Sequence, residues 1–325
     1  MTTDDERPMI LDAHCHIAST KYTPESFVWG AVANSTHLSA TQKRKAVDLY
    51  LKKMHDDECD ELVQEMDAAG IQHSVLLCAD FTHALKDCPL TIAEMIRDHA
   101  RVAQKHAGRL SVFAGVDPRW GKDGIDLFER AVQNGDCNGF KVYPPCGFGP
   151  SDPGLFPFYE ICNAHHLPVT VHIGPTSSVL AFDNGRPDLI DAAARSFPEA
   201  NFILAHGSSF YVDECVMMCA FRPNVYLDVS GFEAGSSDVL RALFRRGINR
   251  KILFGTDFPV FRLGGQQKDF MRPLLDEGGA LEDLRHDDLE LILGGSAQAM
   301  LDRAAACRRS SLAAAERSQE LGAAC

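Results

Sequence analysis

The stretch Met9-Ile10-Leu11-Asp12-Ala13-His14-Cys15-His16-Ile17 sets the reading of the whole chain. It starts as an apolar run and ends in polar residues, the pattern of a buried strand whose carboxyl end opens onto a pocket. Side chains alternate faces along a strand, so Asp12, His14 and His16 are expected on one face and Cys15 on the other. Two imidazoles two residues apart can hold one metal ion, each through a ring nitrogen. Two surface histidines after a short strand would look the same. The pair carries chemistry only if other strands bring ligands to the same point.

Outward from this stretch, short apolar runs alternate with helical patterns. After 9–17, strands are expected at 74–78, 110–116, 139–143, 168–174, 201–207, 225–230 and 251–257. Alternation of this kind indicates a parallel sheet. Eight such units in about 250 residues fit a closed (β/α)₈ barrel. An open doubly wound sheet would commonly carry a glycine-rich first turn. Here the first turn is His14-Cys15-His16, so the expectation is a single-domain TIM barrel over 9–302. Residues 1–8 read as an N-terminal tail and 303–325 as a terminal helix or tail. Residues 18–45 are polar and aperiodic but hold Phe27 and Trp29, and they read as an inserted lid loop.

Composition narrows the class. The net charge of −13 argues against nucleic acid or an anionic membrane as partner. The eleven cysteines are scattered with no Cys-x-x-Cys, which argues against a zinc knuckle or a redox motif. The polar, acidic N-terminus lacks a signal-peptide core, and no apolar run reaches transmembrane length. The expectation is a cytoplasmic protein with reduced thiols that acts on a small molecule, with a homodimer also allowed.

The polar residues at the strand ends repeat. Strand one ends in His14 and His16, strand four in Lys141 and Tyr143, strand five in His172, strand six in His206 and strand eight in Asp257. In a barrel these ends converge on one mouth, where active sites of this fold lie. Chance can place one histidine there; four with a carboxylate are a constellation.

His14-x-His16, His172 in Val-His-Ile-Gly, His206 in Leu-Ala-His-Gly and Asp257 in Phe-Gly-Thr-Asp-Phe-Pro resemble the metal-dependent amidohydrolase superfamily. More narrowly they are similar to its amidohydrolase-related branch, which includes aminocarboxymuconate-semialdehyde decarboxylase. The resemblance covers 9–302 and extends to Gly139-Phe140-Lys141 and Leu293-Gly294-Gly295-Ser296-Ala297, although related sequences commonly have Asn where Ser296 stands. It implies a metal site with His14, His16, His172 and Asp257 as ligands and His206 beside the metal as a catalytic acid or base. Asp257 would also move a proton. One zinc suits these donors, and manganese or iron is compatible.

Lys141 keeps two readings: a cation facing a substrate carboxylate, or a carboxylated bridge between two metals as in some relatives. Tyr143 and Trp29 are candidates for substrate contact, and Asp12 for orienting a ligand histidine from behind. The reaction these residues imply is hydrolysis of an amide, ester or lactone by a metal-activated water. Non-oxidative decarboxylation of an aromatic or unsaturated acid is the alternative at the same site. An inactive barrel serving as a binding protein is the third reading.

Overall fold

The computed structural model describes residues 8–33, 35–231, 237–261 and 264–323. An eight-stranded parallel sheet runs in sequence order: β1 Leu11–Cys15, β2 His73–Cys78, β3 Leu110–Gly115, β4 Gly139–Val142, β5 Val169–His172, β6 Phe202–Ala205, β7 Val225–Asp228 and β8 Ile252–Leu253. Beyond β8 the chain stays beside β1. The Ala13 N–H donates to Phe254 O at 3.0 Å, Asp257 N–H to His14 O at 2.8 Å and His16 N–H to Phe258 O at 2.7 Å. These bonds bring the last strand to the first and form the expected (β/α)₈ TIM barrel. The last strand is shorter than 251–257 because the Phe254 N–H turns to Ile292 O instead of a strand neighbour.

The connections are α1 Glu25–Ala33, α2 Ala40–Leu51 and α3 Asp60–Ala69 after β1, α4 Ile92–Lys105 after β2, α5 Gly121–Asn134 after β3 and α6 Phe156–His165 after β4. Then follow α7 Asp191–Ser196, α8 Val212–Phe221, α9 Ser237–Phe244, α10 Gln267–Leu275, α11 His286–Glu290 and α12 Ser296–Ala323. Local sequence explains several of these. Thr91 caps α4 and Glu94 returns the bond, a capping box, and Ile92, Met95, Ile96, His99 and Val102 bury one face. Gly70 ends α3 in a left-handed turn at φ +74°.

Two sequence expectations change. The expected lid loop at 18–45 carries α1 and the first half of α2. The segment Glu25–Ala33 is apolar around most of its circumference, so it gives no 3.6-residue stripe. The boundary at 303 also falls inside α12, which starts at Ser296 and packs Ala297 and Met300 into the barrel end. The expected N-terminal tail lies, except for Pro8, outside the described residues.

Inside the barrel, Leu11, Ala13, Val75, Leu77, Phe113, Ile203 and Leu253 form an apolar plug. Between strands and helices lies a larger core that includes Cys15, Leu76, Phe140, Val171 and Leu204. The plug closes the amino end, so the polar groups collect at the carboxyl end. Among the described residues no helix is long and apolar enough to cross a membrane.

Candidate metal centre

A break in the period of β1 arranges the site. Asp12 pairs with Ser74 but Cys15 pairs with Leu76, so three residues of β1 span two of β2. This bulge changes the face that follows it. Asp12 therefore does not share a face with the histidines. Its Oδ2 accepts from Cys15 Sγ at 3.0 Å and from Thr256 Oγ1 at 2.5 Å, and Gln267 Nε2 of α10 donates to it at 3.2 Å. Burial pushes the Asp12 carboxyl up to about 6, partly offset by these bonds. Asp12 ties β1 to the Thr256 turn and touches no imidazole. Burial beside Asp12 pushes the Cys15 thiol well above its ordinary range, so it is no nucleophile.

The residue behind His14 is Asp228, at the end of β7. His14 Nδ1–H donates to Asp228 Oδ2 at 2.9 Å. The Ser230 hydroxyl gives its hydrogen to Asp228 Oδ1, and His206 Nδ1–H then donates to Ser230 Oγ at 3.0 Å. His16 Nδ1–H donates to Leu77 O at 2.7 Å. These partners fix one tautomer for all three rings, with Nδ1 protonated and the Nε2 lone pair directed away from its anchor. The backbone helps: Asp257 and His206 follow β8 and β6 at φ +60° and +61°, left-handed turns rare for residues other than glycine. Gly255 is needed nearby, since a Cβ there would lie 2.9 Å from His14 Cβ.

The resulting geometry is a convergence of lone pairs. His14 Nε2 lies 3.3 Å and His16 Nε2 3.4 Å from Asp257 Oδ1. Candidate ligand atoms of these three residues fall within 4.8 Å of one another. His14 Nε2, Asp257 Oδ1 and His172 Nε2 are buried without any hydrogen-bond partner. Buried polar atoms are normally satisfied, so His14 Nε2 and Asp257 Oδ1, orphaned and facing one another, call for a cation, whereas the predicted ligand His172 falls outside both groups of converging ligand atoms. The donor set fits a divalent transition metal. His14, His206 and Asp228 also come within reach of one another, but there the Nδ1 atoms and the carboxylate are already joined through Ser230.

The electrostatics agree. Burial pushes the Asp257 carboxyl up, but His14, His16 and His206 outweigh it and hold it well below its ordinary value. Burial likewise opposes Asp228, and His14 with its hydrogen bond keeps that group ionised. Burial lowers His206 to about 4 and holds His172 well below its ordinary value. Both rings are therefore neutral and able to offer a lone pair near pH 7.

His172 lies in a stack with Tyr143, ring centroids 4.4 Å apart, and edge-on to His206 at 4.8 Å. Tyr143 lines the pocket and bonds Thr176 Oγ1 at 2.9 Å. Lys141 is buried beneath the site and does not line the pocket; its Nζ has no hydrogen-bond partner. Burial lowers its pKa to about 8, with Asp228 and Asp257 pulling the other way. Trp29 is not brought to the pocket wall: its ring lies under the Arg44 guanidinium, 5.4 Å away, while Phe27 from the same helix faces the cavity. The sequence reading missed Asp228 and Ser230. Asp228 ends a strand as the named residues do, so the same rule would have found it.

The cavity beside these groups has a volume of about 330 Å³. It extends from His16, His172, His206 and Asp257 to an arm lined by Tyr22, Phe27, Met54, Phe81, Met95 and His99.

A family model described as Amidohydrolase matches residues 11–303. No curated protein matches the sequence significantly. Among solved structures, 5-carboxyvanillate decarboxylase from Sphingomonas paucimobilis is 16% identical with a TM-score of 0.60, covering 91% of this chain and 99% of that one. The enzyme of that name from Novosphingobium aromaticivorans, solved with manganese, is 13% identical with a TM-score of 0.65, covering 93% and 98%. A probable 2-pyrone-4,6-dicarboxylic acid hydrolase from Acinetobacter baumannii is 13% identical with a TM-score of 0.56, covering 90% and 99%. At these identities the likeness is one of fold.

Proposed function

Because the chain belongs to the amidohydrolase family, we propose that it is a metal-dependent hydrolase of an amide, ester or lactone bond in a small organic substrate. The observation that carries this reading is the pair of orphaned acceptors that face one another, His14 Nε2 and Asp257 Oδ1, with His16 Nε2 beside them; His172, whose Nε2 is also buried without a partner, would complete the set from β5. These residues would hold one divalent ion, zinc first and manganese or iron next. When bound, such an ion supplies a Lewis acid that polarises a carbonyl and acidifies water.

The chain's own groups divide the remaining work. Asp257 stays ionised, which suits it as a charged ligand; its carboxylate would also take the hydrogen bond of a water or substrate group at the reacting centre and pass its proton on. The His206 Nε2 lone pair faces the pocket because Nδ1–H is committed to Ser230. It can accept a proton from, or hydrogen-bond to, a substrate group entering from the arm. Tyr143 holds the His172 ring by stacking. Lys141 contributes a buried positive field beneath Asp228 and Asp257 rather than a substrate contact.

A second reading is favoured by the apolar lining of the cavity, with Phe27, Met54, Phe81 and Met95 among its walls. A substrate carboxylate is destabilised in such surroundings as its charge moves onto the rest of the molecule, which assists decarboxylation. The test is turnover by metal-loaded protein on lactones, esters, amides and hydroxybenzoates, with carbon dioxide followed alongside. Hydrolysis without carbon dioxide supports the first reading, carbon dioxide release from a hydroxybenzoate replaces it with the second, and metal-free protein after full loading removes both.

A further inference from the structure

The arm of the cavity is walled by side chains that are apolar or neutral, and no Lys or Arg lines any part of it among the described residues. Its acidic lining residue is Asp257, which belongs to the metal centre. A carboxylate placed in the arm would give up water and meet no Lys or Arg among the described residues, at a cost that binding does not recover. The ring edges agree with an aromatic occupant: Phe27 and Phe81 lie 5.1 Å apart, and Phe81 meets Tyr143 edge-on at 5.0 Å.

Besides hydroxyl side chains, the wall carries one imidazole away from the metal centre. His99 is on α4, 1% exposed, and lines the cavity. Its Nδ1–H donates to Met95 O at 2.8 Å, one turn back on the same helix, which leaves Nε2 as an acceptor. Tyr22 packs edge-on against this ring, centroids 4.7 Å apart, and its hydroxyl donates to Asp98 Oδ2 at 3.2 Å, so the Tyr22 hydrogen is committed elsewhere.

We infer that the substrate, apart from the group that reacts at the metal, is an uncharged aromatic or apolar body bearing one hydrogen-bond donor, such as a hydroxyl, for His99. This rests on the metal-centre reading above. His99 is then a specificity-determining residue.

Para-substituted benzohydroxamates test it, since all share one metal-binding end and differ only in what enters the arm. Dissociation constants are measured by calorimetry on metal-loaded protein for the hydrogen, methyl, propyl, hydroxymethyl and carboxylate members. The propyl compound should bind about fifteenfold tighter than the methyl one, from two added buried methylenes. The carboxylate should bind about a hundredfold weaker than methyl or worse. His99→Leu should weaken the hydroxymethyl compound about fivefold and leave propyl within about twofold. Thr23→Arg, at a partly exposed position on the cavity wall, should restore binding of the carboxylate. A carboxylate that binds the unaltered protein as tightly as the methyl compound overturns the inference alone. A hydroxymethyl compound indifferent to His99→Leu removes His99 from it. Failure of every member, the unsubstituted one included, overturns the metal-centre reading and this inference with it.

Discussion

At the metal end of the cavity the walls are strand ends. His14, His172, His206 and Asp257 lie on β1 and β5 or follow β6 and β8 within a few residues; the three histidines are held by a hydrogen-bond partner or a stacked ring, and Asp257 by its backbone N–H to His14 O. In the arm the walls come from helices and the loops beside them: Phe27 from α1, Tyr50 from α2 and Met95 and His99 from α4, with Tyr22, Met54 and Phe81 from connecting segments. The first region converges because a closed sheet aims its carboxyl ends at one axis. The second exists because the long connection after β1 folds over the mouth, with Ser177 Oγ donating to Phe27 O at 2.8 Å and the Ser178 N–H to Gly30 O at 3.2 Å. The proposed function thus places chemistry and specificity on different elements, and substitutions should separate them.

The largest effect should come from His14→Ala. Loss of one nitrogen from so small a ligand set should remove bound metal and activity together, read by metal analysis and kcat. A fully loaded His14→Ala protein would show that the strand ends do not form the metal centre. His206→Asn should keep the metal and lose about a hundredfold or more in kcat, the scale of a general acid or base. Asp257→Asn should lose activity more completely and also weaken metal binding; the reverse pattern in these two variants would exchange their roles and favour a bridging Lys141.

Asp228→Asn tests the support behind the ligands. The variant keeps the shape but disturbs the bonds to His14 Nδ1 and Ser230, so metal affinity should fall about 10- to 100-fold while melting temperature changes little. Equal affinity would leave Asp228 with a purely structural role.

The arm should respond in stability and KM instead. Burial holds His99 down to about 4, against 6.5 when unfolded, so below pH 6.5 the unfolded chain binds a proton that the folded chain does not. Stability is full above pH 6.5 and falls as pH drops toward 4, by at most about 1.4 kcal/mol per pH unit from this group. His99→Gln should flatten that segment of the curve, measured by urea unfolding at a series of pH values; an unchanged slope would mean that His99 is protonated in the fold. Gly30→Ala should have the smallest effect. Its Cβ would fall 2.0 Å from Ser177 Oγ and 3.0 Å from the Val179 nitrogen, so α1 must shift outward, costing about 1–2 kcal/mol. KM should rise with kcat nearly unchanged; a fall in kcat instead would tie α1 to the chemistry.

The sequence by itself determined the barrel and the residues at its mouth. Parallel strands buried on both faces must be continuous apolar runs, and the polar residue that ends such a run is visible without coordinates, as His172, His206 and Asp257 were. It could not determine how those residues are aimed. The extra residue in β1 is defined only by its pairing with β2, and it moves Asp12 away from the histidines to Thr256 and Gln267. The tautomers of His14 and His206 depend on Asp228 and Ser230, more than 200 residues from His14 in the chain. Trp29 and Phe27 are two residues apart on one helix, yet Phe27 faces the cavity and Trp29 lies against Arg44. Local periodicity fixes which residues end a strand; only the closed sheet and the helices laid over it fix which atoms meet.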